Sequence, residues 1–390
     1  MKTNTAIRLG TCLLSMVLFM KTSEIVAQEE PPPIKIFGYF QNSFQEWTAF
    51  EERSKFNSFS LQQLNLFFQK DFNPRWTAFV NFEFVNNFSS SRQWGSANLE
   101  EAWLRYRADM RFNLKLGLLL PIFNNLNEIK NRTPLLPYVI RPFAYEASFG
   151  EIIPIEVVTP VRAFVQAYGF FPSGEAKIDY AAYVGNSPNM SNNPLAGQSG
   201  VDTTATFLVG GRLGARYREL KLGLSATYDR DSVFQDRAPD FEIAGTEWSK
   251  IPKTRLGGDL SYEYANFLLE GEFIKVDMKK DAPGLDADLN FYYATLGYRA
   301  TEKLFLYASY WMMDSHVTLS TATREESESG DIRVYTAGAW HRLTDRISLK
   351  AQFSRVISDE DNLIRAEVEN VMTTTNDNFS IFALAVSVIF

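Results

Sequence analysis

Apolar and polar residues alternate along most of this chain with a period of two. In "FNLKLGLLL", Phe112, Leu114, Leu116, Leu118 and Leu120 share one face, and Asn113, Lys115 and Gly117 share the other. "WTAFVNFEF" sets Trp76, Ala78, Val80, Phe82 and Phe84 against Asn81 and Glu83. "KLGLSATYDR" sets Leu222, Leu224, Ala226 and Tyr228 against Lys221, Ser225, Thr227 and Asp229. Successive side chains of a strand point to opposite faces, so this pattern predicts strands with one apolar and one polar side.

About sixteen such segments follow one another, each roughly 9–12 residues long, the length of a tilted strand crossing a bilayer. They fall near 34–47, 58–70, 76–88, 98–108, 111–120, 160–170, 176–186, 204–217, 220–230, 254–264, 266–276, 290–299, 304–313, 331–341, 347–356 and 378–390. Their connections alternate in length. Tight links ("DFNPR", "ADMR", "PSGE", "REL", "YAN", "ATEK", "LTDR") separate long polar stretches near 89–97, 121–159, 187–203, 231–253, 277–289, 314–330 and 357–377. Short turns at one end and long loops at the other are the habit of transmembrane barrels. The expected fold class is therefore all-β: a transmembrane antiparallel β-barrel of about 16 strands over residues 34–390.

The chain closes on "IFALAVSVIF". Phe382, Leu384, Val386, Val388 and Phe390 share a face suited to lipid, and Ala383, Ala385 and Ser387 turn inward. A last strand pairing with the first leaves no open sheet edge, as a bilayer requires.

The N-terminus adds an address. Lys2 and Arg8 precede the apolar "LGTCLLSMVLFM", and a polar start follows Ala27. That order predicts a secretory signal peptide over 1–27, then a short periplasmic segment over 28–33. The only cysteine, Cys12, falls in that leader, so disulfides play no part in the mature chain. Removing Lys2, Arg8, Lys21 and Glu24 from the totals of 39 basic and 46 acidic residues leaves 36 and 45. An acidic balance argues against a nucleic-acid partner, which calls for a basic footprint.

The stretch "KLGLLLPIFNNLNEIKNRTPLLPYVIRPF", the opening "IKIFGYFQNSF" and the terminal Phe390 resemble porins related to the phosphate-selective porin O and P family. The resemblance implies a sixteen-stranded homotrimer with its long third loop, here 121–159, folded into the lumen. It also implies partners: outer-membrane lipid and lipopolysaccharide, and barrel assembly machinery that reads Phe390.

In a pore, chemistry means the charge on its inner wall. Alternation turns Arg105 and Arg107 inward with Glu101 on the fourth segment, Lys115 on the fifth, Arg162 with Gln166 on the sixth, and Arg212 and Arg216 on the eighth. The third loop adds Lys130, Arg132 and Arg141, with Glu128. Fixed cations in a low-dielectric channel attract anions, and arginine's planar fork suits phosphate or carboxylate. Small anionic or polar solutes are the expected cargo. Each arginine also has a plainer reading as half of an ion pair, with Glu83, Glu101, Asp259, Glu270 and Glu272 as available partners.

Other readings remain open: a plugged structural or binding barrel of adhesin type, and an outer-membrane lipid hydrolase using His316 beside Ser315. The two histidines, His316 and His341, show no metal-ligand spacing, so no metal or other cofactor is expected. "GGRLGA" from Gly210 reads as close packing within a strand rather than nucleotide binding.

Overall fold

The computed structural model describes residues 32–48, 56–85, 96–146, 155–187, 189–190, 198–199, 206–231, 251–280, 284–320, 325–358 and 378–390, and the structural statements below concern these. The expected signal peptide, most of the segment 28–33 and parts of the long loops lie outside them. Within the unit Ile34–Phe390, sixteen antiparallel strands form one closed barrel. In chain order they are β1 (Lys35–Thr48), β2 (Phe56–Asp71), β3 (Trp76–Val85), β4 (Ser96–Arg107), β5 (Asn113–Leu119), β6 (Ala163–Ser173), β7 (Ala176–Asn186) and β8 (Phe207–Tyr217). There follow β9 (Leu220–Asp231), β10 (Ile251–Tyr264), β11 (Phe267–Lys280), β12 (Gly284–Arg299), β13 (Leu304–Ser320), β14 (Glu325–Arg342), β15 (Ile347–Ser358) and β16 (Phe379–Ile389). Each strand pairs with its sequence neighbours, and β16 returns to β1.

The tight turns are made by their own side chains. Asn73 Oδ1 accepts the backbone N–H groups of Arg75 and Trp76, and Asp109 Oδ1 accepts those of Arg111 and Phe112. Thr301 and Thr344 do the same with their hydroxyls. Short polar side chains that bond the backbone two and three residues on fix a turn without outside help.

The seam is continuous hydrogen bonding. Tyr39 to Thr48 run opposite Ile389 to Ser380, and Gly38 and Phe390 exchange both backbone bonds at 2.9 and 3.0 Å. Gly38 is required there: a Cβ would lie 2.3 Å from the Asn65 carbonyl oxygen and 2.8 Å from the Phe390 ring.

On the outer wall, Leu222, Leu224, Leu296, Leu306, Phe353, Phe382 and Leu384 are exposed, while Ser225, Thr227, Thr295, Ser354 and Ser387 on the alternate face are buried. One local departure occurs on β5. The register shifts between Leu116 and Leu119, with Gly117 at a φ of 119°. Leu119 is buried on the inward side with Asn113 and Lys115, and Leu120, just past the bulge and the end of the strand, is buried instead of lining the outside with Leu114.

Toward the long-loop end of β11 to β15 the polarity inverts. Outward positions become Lys275, Asp277, Asp288, Asp314, Asp331, Arg333 and Arg355, and inward ones become Ile274, Val276, Met278, Leu289, Phe291, Met313, Ile332 and Val334. Strands therefore continue through much of 277–289 and 314–330, where long loops are expected from sequence; only 281–283 and 321–324 separate them. The outward apolar run from Leu304 to Met312 rises about 20 Å for a strand tilted about 40°. That is close to the height of a bilayer's apolar band. Beyond it the wall is built like a soluble protein, charged outside and apolar inside.

The inverted section has something to bury against. Residues 120–162, between β5 and β6, supply Phe123, Leu126, Val139, Ile140, Phe143, Tyr145, Val157 and Val158 to one apolar cluster with the inner faces of β10 to β16. Leu136 packs against its edge, and Leu135 stays exposed.

Candidate functional site

The segment 120–162 is held by inward-facing side chains around the barrel. On β15, Lys350 Nζ donates to Gln41 Oε1 at 2.8 Å and to the Thr133 and Tyr138 carbonyls at 2.7 and 3.3 Å. Two residues on, Gln352 accepts the Val139 and Ile140 N–H groups at 2.8 and 3.0 Å and donates to the Ile140 carbonyl at 3.0 Å. On β11, Glu272 accepts the N–H groups of Asn125 and Leu126 at 2.9 and 2.7 Å and the Tyr145 hydroxyl. Tyr138 donates to Glu270. Burial first, and then the carboxylate each one faces, pushes the Tyr138 and Tyr145 hydroxyls well above the ordinary tyrosine range, so both stay protonated donors. From β2, the Gln62 amide donates to the Val139 carbonyl and the Gln63 amide to the Asn131 carbonyl.

The basic residues singled out from sequence fall into two groups. The first is tied up internally. Arg212 donates Nε and Nη2 to Asp259 at 3.0 and 2.7 Å and Nη1 to Asp179 at 2.6 Å. Arg141 donates Nε to Glu146 at 3.2 Å and Nη1 to the Lys130 carbonyl, and Lys130 donates to Thr159 at 3.2 Å. These three side chains are buried and brace the wall or the 120–162 segment itself. The glycines around Arg212 now have a reason. A Cβ at Gly214 would lie 2.4 Å from Asp179 Oδ2, and one at Gly223 would lie 2.2 Å from Asp259 Oδ2.

The second group lies on the inner wall toward the short-turn end, on adjacent strands. Arg105 on β4 stands in register with Lys115 on β5. Arg105 Nη2 donates to Thr77 Oγ1 at 3.0 Å, and its buried Nε has no protein partner. Lys115 Nζ lies 3.3 Å from Glu128 Oε1 and sits over the Trp103 and Tyr168 rings at 4.8 and 5.4 Å. Arg107 is exposed one inward step nearer the turn. On the next strands Arg216 stands in register with both Lys177 on β7 and Lys221 on β9. Lys177 Nζ sits 3.6 Å over the Phe170 ring. Arg132 and Arg162 are half-exposed and stand apart from this group: Arg132 lies within the 120–162 segment, and Arg162 directly precedes β6, at the long-loop end of the wall.

Carboxylates gather farther along the same wall. A register shift on β3–β4 places Asn81 opposite Glu101 and Phe82 opposite Leu99, leaving Glu100 as the extra residue. Glu100 accepts the Asn131 amide at 2.8 Å, Glu83 accepts the Gln63 amide at 2.7 Å, and Glu101 accepts the Trp103 indole N–H at 3.0 Å.

Besides Lys350, three basic residues on β7 and β10 escaped the reading of the sequence as site candidates. Arg255 and Lys253 on β10 are fully buried; Arg255 donates to Asp229 at 3.2 Å and to the Val157 carbonyl at 2.9 Å, and Lys253 lies 3.8 Å from Asp229. Their two-residue spacing in "PKTRLGG" was the available signal. Lys177 was the third, marked by its alternation with Asp179. Ser315 and His316 point to opposite faces: Ser315 is buried and donates to the Gly330 carbonyl at 3.3 Å, while His316 is exposed, 3.4 Å from Ser327 Oγ.

Comparison with known proteins agrees with this architecture. The anion-selective porin from Comamonas acidovorans superposes with a TM-score of 0.58 at 10% identity, over 92% of this chain and 99% of that one. A loop-deletion form of OmpT, an outer membrane protein of Vibrio cholerae, gives 0.57 at 11% identity over 92% and 99%. The outer membrane channel DcaP of Acinetobacter baumannii gives 0.56 at 8% identity over 94% and 99%. At such identities the likeness is one of fold. No curated protein matches the sequence. The sequence model of Gram-negative porins matches residues 165–362, just over half of the chain. With its closed sixteen-stranded barrel, this chain belongs to the Gram-negative porin family, the outer-membrane β-barrel channels.

Proposed function

We propose that this porin passes small hydrophilic solutes by diffusion, with a preference for anions, through a lumen narrowed by residues 120–162. The observation that carries the preference is the basic arc: Lys177, Arg216 and Lys221 in one register row, with Arg105 on β4, whose neighbour Lys115 is buried and paired with Glu128. An entering solute meets these cations on low-dielectric walls, where their field is strong. Arginine forks there suit phosphate and carboxylate groups. Arg107 extends the same surface toward the turn, Arg132 and Arg162 add positive charge farther along the lumen, and Arg212, Arg141 and Lys130 hold the structure that presents it.

The wider setting follows the same reading: a homotrimer in the outer membrane, in contact with lipopolysaccharide and assembled through its terminal Phe390. A trimer form is described for OmpT of Vibrio cholerae. The test is charge reversal. Lys177→Glu with Arg216→Glu should move the reversal potential in a salt gradient toward cations while leaving the folded barrel intact. An unchanged reversal potential in the folded variant would remove the arc from the account.

A second reading has one observation in its favour. Many inward side chains, among them Gln41, Asn65, Gln166, Asp229 and Arg255, are fully buried. A barrel so filled could serve as a plugged binding or structural body. Single-channel recording separates the two.

A further inference from the structure

The outer wall of β11 to β15 carries a groove of about 510 Å³. Its floor is made by small side chains on three adjacent strands, Ala294, Ala308 and Ala337, with Ala308 and Ala337 directly paired. Exposed Leu296 and Phe353 stand as its sides. At its long-loop edge lie Tyr310 and Tyr335, ring centroids 5.1 Å apart, and Arg355, in register with Tyr335.

Arg355 stands at the line where the outer wall changes from apolar to charged. Counted up β15 from Ile347, it lies about 20 Å above the short-turn end at a tilt of about 40°. That is the headgroup level of the outer leaflet. Its guanidinium is exposed, and Nη1 donates to the Ser380 hydroxyl at 3.1 Å, a neutral partner. The neighbouring Arg333 is different, because it is ion-paired with Asp331.

We infer that this groove and Arg355 form a binding site for one phosphorylated lipid of the outer leaflet, an acyl chain lying over the alanine floor and the phosphate held by the guanidinium. The inference rests on the outer-membrane reading above. Apolar contact alone gives no preference, since lipid tails meet the wall everywhere and no hydrophobic gain separates one tail from another. Selection needs a feature that bulk lipid lacks. The concave floor accepts a chain more closely than a ridge of leucines does, and the cation gives a phosphate a charge-assisted, two-pronged partner at the edge of the low-dielectric region. The tyrosines suit the same depth, with apolar bodies and polar tips.

The experiment is native mass spectrometry of the folded full-length barrel in mild detergent, titrated with lipid A or with its fully dephosphorylated form. We expect one tightly retained lipid A per barrel, and retention of the dephosphorylated form lower by about tenfold or more, the scale of a lost hydrogen bond to a charge. Arg355→Ala should erase that difference. Ala337→Trp, which fills the floor, should weaken both lipids. Each variant should keep wild-type conductance, because both residues face away from the lumen; conductance thus reports on the porin reading separately. Equal retention of the two lipids by the wild type would overturn the proposal, whatever the variants do. So would an Ala337→Trp protein that loses its oligomeric state while lipid retention stays the same, because the occupant would then be a second copy of this chain.

Discussion

Arg212 and Asp259 face each other across the inner wall with two parallel N–H···O bonds of 3.0 and 2.7 Å, and the carboxylate is fully covered. A third bond, to Asp179, completes the fork. Replacing the arginine strands a buried charge. Arg212→Ala should therefore cost about 3–5 kcal/mol, the usual penalty for breaking a buried pair from one side. Urea unfolding of the barrel in lipid, followed by its heat-sensitive gel mobility, would measure it. A variant as stable as the wild type would show that Asp259 is solvated or neutral.

The space for that fork comes from Gly223, where a Cβ would sit 2.2 Å from Asp259 Oδ2 and 2.3 Å from Arg212 Nη2. Gly223→Val should thus reproduce much of the Arg212→Ala loss, and the two changes together should be clearly less than additive, as for residues sharing one contact. A double-mutant cycle in the same unfolding assay reads this directly.

Lys350 and Gln352 together grip residues 133–140 from β15. Gln352→Ala removes the partner of two backbone N–H groups and a carbonyl. The expected result is a larger and noisier single-channel conductance, with stability lowered by about 1–3 kcal/mol. Conductance identical to the wild type would mean that this stretch does not limit the passage.

Tyr145→Phe deletes the hydroxyl that Glu272 accepts, leaving two backbone N–H donors on a buried carboxylate. A loss of about 1–3 kcal/mol is expected. It should be accompanied by faster amide exchange at Asn125 and Leu126, the residues whose N–H groups share that carboxylate. Exchange at Val139, held by β15 instead, should stay slow.

Much of this architecture is legible in the residue order, because bilayer strands obey a local rule. Leu222, Leu224 and Tyr228 had to face out together, and the turn side chains Asn73, Asp109, Thr301 and Thr344 mark where strands end. Three things were not legible. Beyond the apolar band the rule reverses, so Lys275, Asp277 and Asp288 look like a loop although they lie on strands whose inner faces are Val276 and Leu289. The partners of residues 120–162 were hidden for a different reason. Glu272, Lys350 and Gln352 stand well over a hundred residues away, and only closure of the barrel brings them in. Ion pairing was likewise a matter of register. Arg212 and Arg216 share one strand and one face, yet only the first meets two carboxylates.

The most direct test of the account is the reversal potential of the wild-type barrel in a planar bilayer under a potassium chloride gradient. Discrete channels whose reversal potential lies on the chloride side are predicted, and neutralising Lys177, Arg216 and Lys221 should bring it toward zero. A folded, inserted barrel that carries no current, or one that reverses on the potassium side, would contradict it.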